Sequence, residues 1–137
     1  MAKDQMLEKI VIRQPDDWHL HLRDGELLKR VLPFSARVFR RAIIMPNLDP
    51  PITTVQSAIS YRQRIMDAIP NEVSFEPFMT AYLTDDLNPD VIEEGYRQNV
   101  FFAAKLYPAN ATTNSSHGVT NLENIDELLL TMERMGM

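Results

Sequence analysis

The stretch "DDWHLHLRDGELLKRVLP", residues 16–33, changes periodicity partway along. Its first part is extended, as is the upstream run "KIVIRQP". In a strand alternate side chains share a face, so His19 and His21 point one way while Leu20 and Leu22 point the other. After Asp24-Gly25, read as a turn, Leu27, Leu28, Val31 and Leu32 fall at helical spacing, and Pro33 is expected to stop the helix. This is one strand followed by one helix.

The same unit recurs three times. "RAIIMPN" (41–47) is a short buried-strand run. It precedes "TTVQSAISYRQRIMDAI", where Thr53 and Gln56 make a capping box and Val55, Ala58, Ile59, Ile65, Met66 and Ile69 form an inward helical face. "VSFEPFMTAYLT" (73–84) is the third strand; Asn88 caps the helix after it, with Pro89 at the first helical position. "VFFAAKLYP" (100–108) is the fourth. It leads through the loop "ANATTNSSHGV" to a helix capped by Thr120 and Glu123, with Leu122, Ile125, Leu128, Leu129, Met132 and Met135 inward. Four alternating βα units with near-continuously apolar strands imply a parallel sheet, either doubly wound or barrel-like.

Composition narrows the chemistry. The 137 residues, 45% hydrophobic and 24% charged, suit one globular unit, and no linker or repeat divides them. Without cysteine, disulfides and thiolate metal sites are excluded, so a metal would need His, carboxylate or modified Lys. The net charge is −5, and Lys29, Arg30, Arg37, Arg40, Arg41, Arg62 and Arg64 are dispersed, so no nucleic-acid partner is expected. The start "MAKDQMLEKI" has no leader-like apolar core, and no window approaches the roughly 20 apolar residues of a membrane span, so a cytoplasmic protein without membrane contact is expected. There is no glycine-rich phosphate loop among only four glycines.

In parallel α/β sheets ligands meet the carboxyl ends of the strands. That rim should gather His19, His21 and Arg23 from the first strand, Asn47 from the second, Tyr82 and Thr84 from the third and Lys105 from the fourth. Two imidazoles on one face can share a borderline divalent ion, although an isolated H-x-H is also compatible with two hydrogen-bonded histidines. Lys105 is the one charge in an apolar strand. Burial disfavours an ammonium, and a neutral amine can form a Schiff base, act as a base or take up carbon dioxide as a carbamate; a lysine reaching from the strand end to solvent is the plainer alternative. Arg23 suits a carboxylate, and Asn47 can both donate and accept; either is equally compatible with a surface ion-pair partner or a turn residue, "MPNLDPP" being turn-rich. His117 lies in a Ser/Asn-rich loop and reads as a solvated residue.

Four segments, "RQPDDWHLHLRDG" (13–25), "RAIIMPNLDPPITTV" (41–55), "YLTDDLNP" (82–89) and "AAKLYPANATTNSSHGVT" (103–120), together resemble the bacterial single-domain dihydroorotases of the metal-dependent amidohydrolase superfamily. The resemblance implies an α/β fold made of the N-terminal half, about four βα units, of a (β/α)8 TIM barrel, with residues 1–137 as half of one domain and no second domain. It implies that His19, His21 and Lys105 bind metal, with two Zn2+ bridged by carbamylated Lys105. Arg23 and Asn47 would bind the substrate carboxylate, and Thr112 and Thr113 would lie on a loop that closes over substrate. The implied reaction is reversible cyclisation of N-carbamoyl-L-aspartate to L-dihydroorotate, in de novo pyrimidine synthesis, by a homodimer.

The family's further histidines and its proton-shuttling aspartate are expected beyond residue 137. None of Asp85, Asp86, Asp90 or Asp126 stands in for that aspartate, so the chain is expected to be inactive without the C-terminal half of the barrel. A Schiff-base lyase built on Lys105 and a barrel-derived scaffold without metal are the competing readings.

Overall fold

The computed structural model describes residues 9–137; the expectation about the first eight residues lies outside the described residues. The elements are β1 (Asp16–Leu20), α1 (Gly25–Ala36), β2 (Arg41–Ile44), α2 (Val55–Ala68), β3 (Glu76–Tyr82), α3 (Pro89–Arg97), β4 (Phe101–Lys105), a 3-10 turn (Leu122–Ile125) and α4 (Asp126–Met135). The four strands are parallel and lie in the order β1-β2-β3-β4.

That order decides between the two architectures left open by the alternation of elements. A doubly wound sheet reverses its strand order and carries helices on both faces, whereas crossovers of one hand between successive neighbours put every helix on the same side. Here Ala42, Ile44, Met79, Ala81 and Phe101 are buried, while Trp18 and Phe102 are 52% and 51% exposed. The helices pack in succession, α1 on α2, α2 on α3 and α3 on α4. The sheet thus has one covered face and one open face, as in the wall of a barrel. At Gly95 on α3 an added Cβ would lie 2.1 Å from the Phe101 ring, so the missing side chain is what lets α3 approach β4.

Several local expectations need correction. Pro33 does not stop α1, which runs a further turn to Ala36; its buried stripe is Leu28, Leu32 and Ala36, spaced four apart, and Leu27 is exposed. The cap of α2 lies one residue later than expected. Thr54 and Ser57 form the reciprocal box, with Ser57 N donating to Thr54 Oγ1 at 3.1 Å and Thr54 N to Ser57 Oγ at 3.2 Å. The inward face of α2 is Val55, Ala58, Tyr61 and Ile65, with Ile59 and Met66 turned outward. Before α4, Asn121 caps the 3-10 turn, because the Thr120 hydroxyl and amide are taken by Asp85. Ile125 and Leu128 are buried, but Leu122 and Leu129 are exposed, since the 3-10 turn offsets the helical period assumed from residue 120. Asn88 does cap α3, accepting from Asp90 N with Pro89 in the first turn. No helix among the described residues is long and apolar enough to cross a membrane.

Candidate functional site

The open face is organised by two irregularities in pairing. Between Asp17 and Leu20 β1 advances three residues while β2 advances two, Ala42 to Ile44. β4 advances two, Phe101 to Ala103, while β3 advances one, Met79 to Thr80. Each is a bulge, and an extra residue reverses which side chains face which side downstream. In β1, Asp16 pairs with Arg41, and Trp18 stacks with Phe78 on the open face; Leu20 then pairs with Ile44 on the helix face, which returns His19 and His21 to the open side. In β4 the helix-facing Phe101 is followed by Phe102, stacked on Phe78 with ring centroids 4.6 Å apart, and then by Ala103 and Lys105, paired with Thr80 and Tyr82. Without these bulges neither the histidines nor Lys105 would share the open face with the aromatic residues that precede them.

His19 Nε2 and His21 Nε2 stand 3.2 Å apart. Two nitrogens on one tetrahedral zinc, each about 2.0–2.1 Å from it, are about 3.3 Å apart, so the pair has the spacing of two ligands to a single ion. The tautomer of His21 follows from Asn47. The Asn47 Nδ2 donates to the Thr113 carbonyl at 2.9 Å, which turns Oδ1 toward His21 Nδ1, also at 2.9 Å. A carbonyl oxygen only accepts, so Nδ1 carries the proton and Nε2 keeps its lone pair. Burial lowers the His21 pKa, and nearby Arg23, His19 and Lys105 lower it further, against the opposing Asn47 bond. The imidazole is therefore held neutral, the form that ligates. Among the described residues no three His, Asp or Glu side chains gather as a metal cluster, so a third ligand from this rim would have to be of another type.

Lys105 ends β4 on the same face and is half-buried, less withdrawn from solvent than its apolar strand suggests. Its Nζ lies 5.3 Å above the Tyr107 ring. Arg23 follows the histidines with φ 61°, and its Nη1 is buried without a partner. The Tyr107 hydroxyl is the other buried side-chain polar atom without a partner among the described residues; burial, then neighbouring Tyr82, pushes its pKa up to about 12, so it remains a donor.

The loop after β4 is anchored to the rim largely through backbone atoms. Besides the Asn47 bond, Asn114 Nδ2 donates to Asn47 O at 3.0 Å, Tyr82 Oη donates to Asn114 O at 3.2 Å, and the buried Ser115 hydroxyl both accepts from Thr112 N and donates to Thr112 O. Thr112 and Thr113 are exposed. Thr84 is engaged locally, donating to Asp86 Oδ1 at 2.7 Å, and His117 is exposed. His19, His21, Arg23, Asn47, Lys105 and the Thr112–Thr113 loop thus gather at the carboxyl ends of the strands. The linking role of Asn47 and the buried Ser115 were not visible from spacing; the orphan phenol of Tyr107, two residues after Lys105 and so on the same side, could have been sought there.

The parallel sheet with its helices on one side matches the N-terminal part of a class of TIM-barrel-like structures. The L-hydantoinase (dihydropyrimidinase) of Arthrobacter aurescens shares this fold, with a TM-score of 0.68 at 15% identity over 90% of the chain and 27% of its own. The chain is homologous to the N-terminal part of dihydroorotases. It is 62% identical over 128 residues to the dihydroorotase of Cronobacter sakazakii, covering 93% of this chain and 37% of that protein, and 58% identical over 136 residues to that of an Enterobacter species, covering 99% and 38%. The crystal structure of Campylobacter jejuni dihydroorotase superposes with a TM-score of 0.82 at 36% identity, over 90% of this chain and 36% of that one. The Saccharomyces cerevisiae dihydroorotase in complex with 5-fluoroorotic acid gives 0.78 at 34%, over 88% and 33%. The chain therefore spans less than two fifths of the curated relatives it matches. No family model matches it.

Proposed function

We propose that this chain is the N-terminal part of a dihydroorotase, an enzyme catalysing the reversible cyclisation of N-carbamoyl-L-aspartate to L-dihydroorotate in pyrimidine synthesis. The observation that carries the proposal is the pair of imidazole nitrogens 3.2 Å apart, one with its tautomer set by Asn47, in a chain 62% identical to a dihydroorotase over its matched length. His19, His21 and Lys105, the last as its carbamate, would hold a pair of zinc ions. Bound there, the two ions supply Lewis acidity at the ring amide and lower the pKa of water. The rest of the barrel would supply the remaining ligands and the proton-shuttling aspartate. The enzyme acts in the cytoplasm as a homodimer.

Arg23 and Asn47 bind the substrate carboxylate. The unpartnered Nη1 of Arg23 calls for an acceptor, and Asn47 keeps one amide N–H beyond the bond to Thr113. In the full-length protein, Arg23→Met is expected to raise KM for N-carbamoyl-L-aspartate about 10- to 100-fold, the loss of a charge-assisted hydrogen bond of about 1.5–3 kcal/mol, with zinc content unchanged. Steady-state kinetics with metal analysis checks this; an unaltered KM removes Arg23 from the site.

Thr112 and Thr113 close over the substrate. Their loop is held through backbone atoms, so a Thr112→Ala, Thr113→Ala double variant keeps its anchors and loses only the two hydroxyls and γ-methyls. Turnover is expected to fall about 10- to 100-fold at constant zinc content. Loss of zinc in that variant would make the loop part of the metal scaffold instead.

A further inference from the structure

Tyr61 is the one aromatic residue on the buried face of α2, and it is fully buried, yet its hydroxyl is not idle. It donates to the Arg23 carbonyl at 2.6 Å. Arg23 is in the left-handed region at φ 61°, which crowds the Cβ of any residue but glycine and persists only where surrounding contacts hold it. The next residue is gripped as well. Asp24, extended at φ −143°, caps α1 by accepting from Gly25 N at 2.8 Å, and it receives Arg64 from α2 in a fork, Nε to Oδ1 at 2.9 Å and Nη2 to Oδ2 at 2.7 Å. The Arg64 guanidinium lies 5.4 Å over the Tyr61 ring. Tyr61 and Arg64 are three apart on the helix, hence on one side of it, and hold two consecutive residues where the chain leaves β1 for α1.

We propose that Tyr61, seconded by Arg64, is a positioning residue that aims the Arg23 guanidinium at the rim and so sets affinity for a carboxylate-bearing ligand; this rests on the role assigned to Arg23 above. The direction of Cα–Cβ depends on φ. If the carbonyl bond is lost and the backbone relaxes to a negative φ, the long Arg23 side chain swings away from its line into the site. His19 and His21 precede this hinge and are held separately, by the β1–β2 pairing and by Asn47, so metal binding does not share the dependence.

The test is a double-mutant cycle in the full-length protein, because a residue that merely fills the core acts independently of Arg23. Tyr61→Phe keeps the ring and removes the bond. It is expected to raise KM for N-carbamoyl-L-aspartate about 3- to 10-fold, with kcat within about twofold and zinc content as in the parent. In the Arg23→Met background the same substitution should leave KM within about 1.5-fold. Arg64→Gln, at the exposed end of the same grip, should act in the same direction and carries the test if Tyr61→Phe does not fold. An equal rise in KM with and without Arg23, or no rise in either single variant, overturns the positioning role while leaving Arg23 as the carboxylate residue. No effect of Arg23→Met itself overturns both.

Discussion

Replacing His21 with alanine is expected to remove most of the zinc from the full-length protein and to lower turnover by roughly three orders of magnitude or more, since both the Lewis acid and the activated water depend on the ion. The geometry makes His21 the more consequential of the pair. His19 is exposed, whereas His21 is half-buried, tied to Asn47 at 2.9 Å and kept neutral chiefly by burial. Its loss also frees the Asn47 Oδ1, the amide whose other end holds the Thr113 carbonyl, so the loop after β4 loses part of its anchorage. His19→Ala should remove zinc without that second effect. Metal analysis, with limited proteolysis of the loop, separates the two variants; near-normal zinc in His21→Ala would dismiss the pair as ligands.

Lys105→Ala is expected to abolish activity to a similar extent, and a short-chain carboxylic acid added to the variant should restore part of it by taking the place of the carbamate. The expectation depends on where the bulge in β4 sends the side chain, which is to the open face, near enough to His21 for its charge to bear on that imidazole. A Schiff-base role makes the opposite forecast, because an added acid cannot replace an amine nucleophile. Measuring turnover with and without the acid decides between them, and full activity of Lys105→Ala without it would remove Lys105 from the chemistry.

Much of this was written in local pattern. The alternation of short apolar runs with amphipathic segments was enough to identify four βα units, and all four helices and strands are present, because burial of a stripe or a face leaves a period in the chain. The candidate residues fell at strand ends, and strand ends of a parallel sheet converge. Local pattern and structure part where two neighbouring residues can do the same job. Thr53 or Thr54 could cap α2, and Thr120 or Asn121 could open the segment before α4; the choice went to tertiary partners, with Asp85 claiming the Thr120 side chain. By local pattern Pro33 is a stop, but it lies in the last turn of α1, where only one helical bond is forgone and Ala36 still reaches the core.

What the chain determined by itself was the inventory, namely the two imidazoles on one face, a lysine ending an apolar strand, an arginine after the histidines and the order of strands and helices. What only the tertiary structure decided was direction. Strand order showed that the helices cover one face, and the bulges at β1 and β4 set which residues look out from the other. The physical reason is that alternation along a strand is defined only relative to its neighbour's register, and an extra residue in one strand of a pair is visible only once the two are hydrogen-bonded side by side. The tautomer of His21 and the backbone of Arg23 are decided in the same way, by Asn47 and Tyr61, residues 26 and 38 positions away whose closeness no local pattern records.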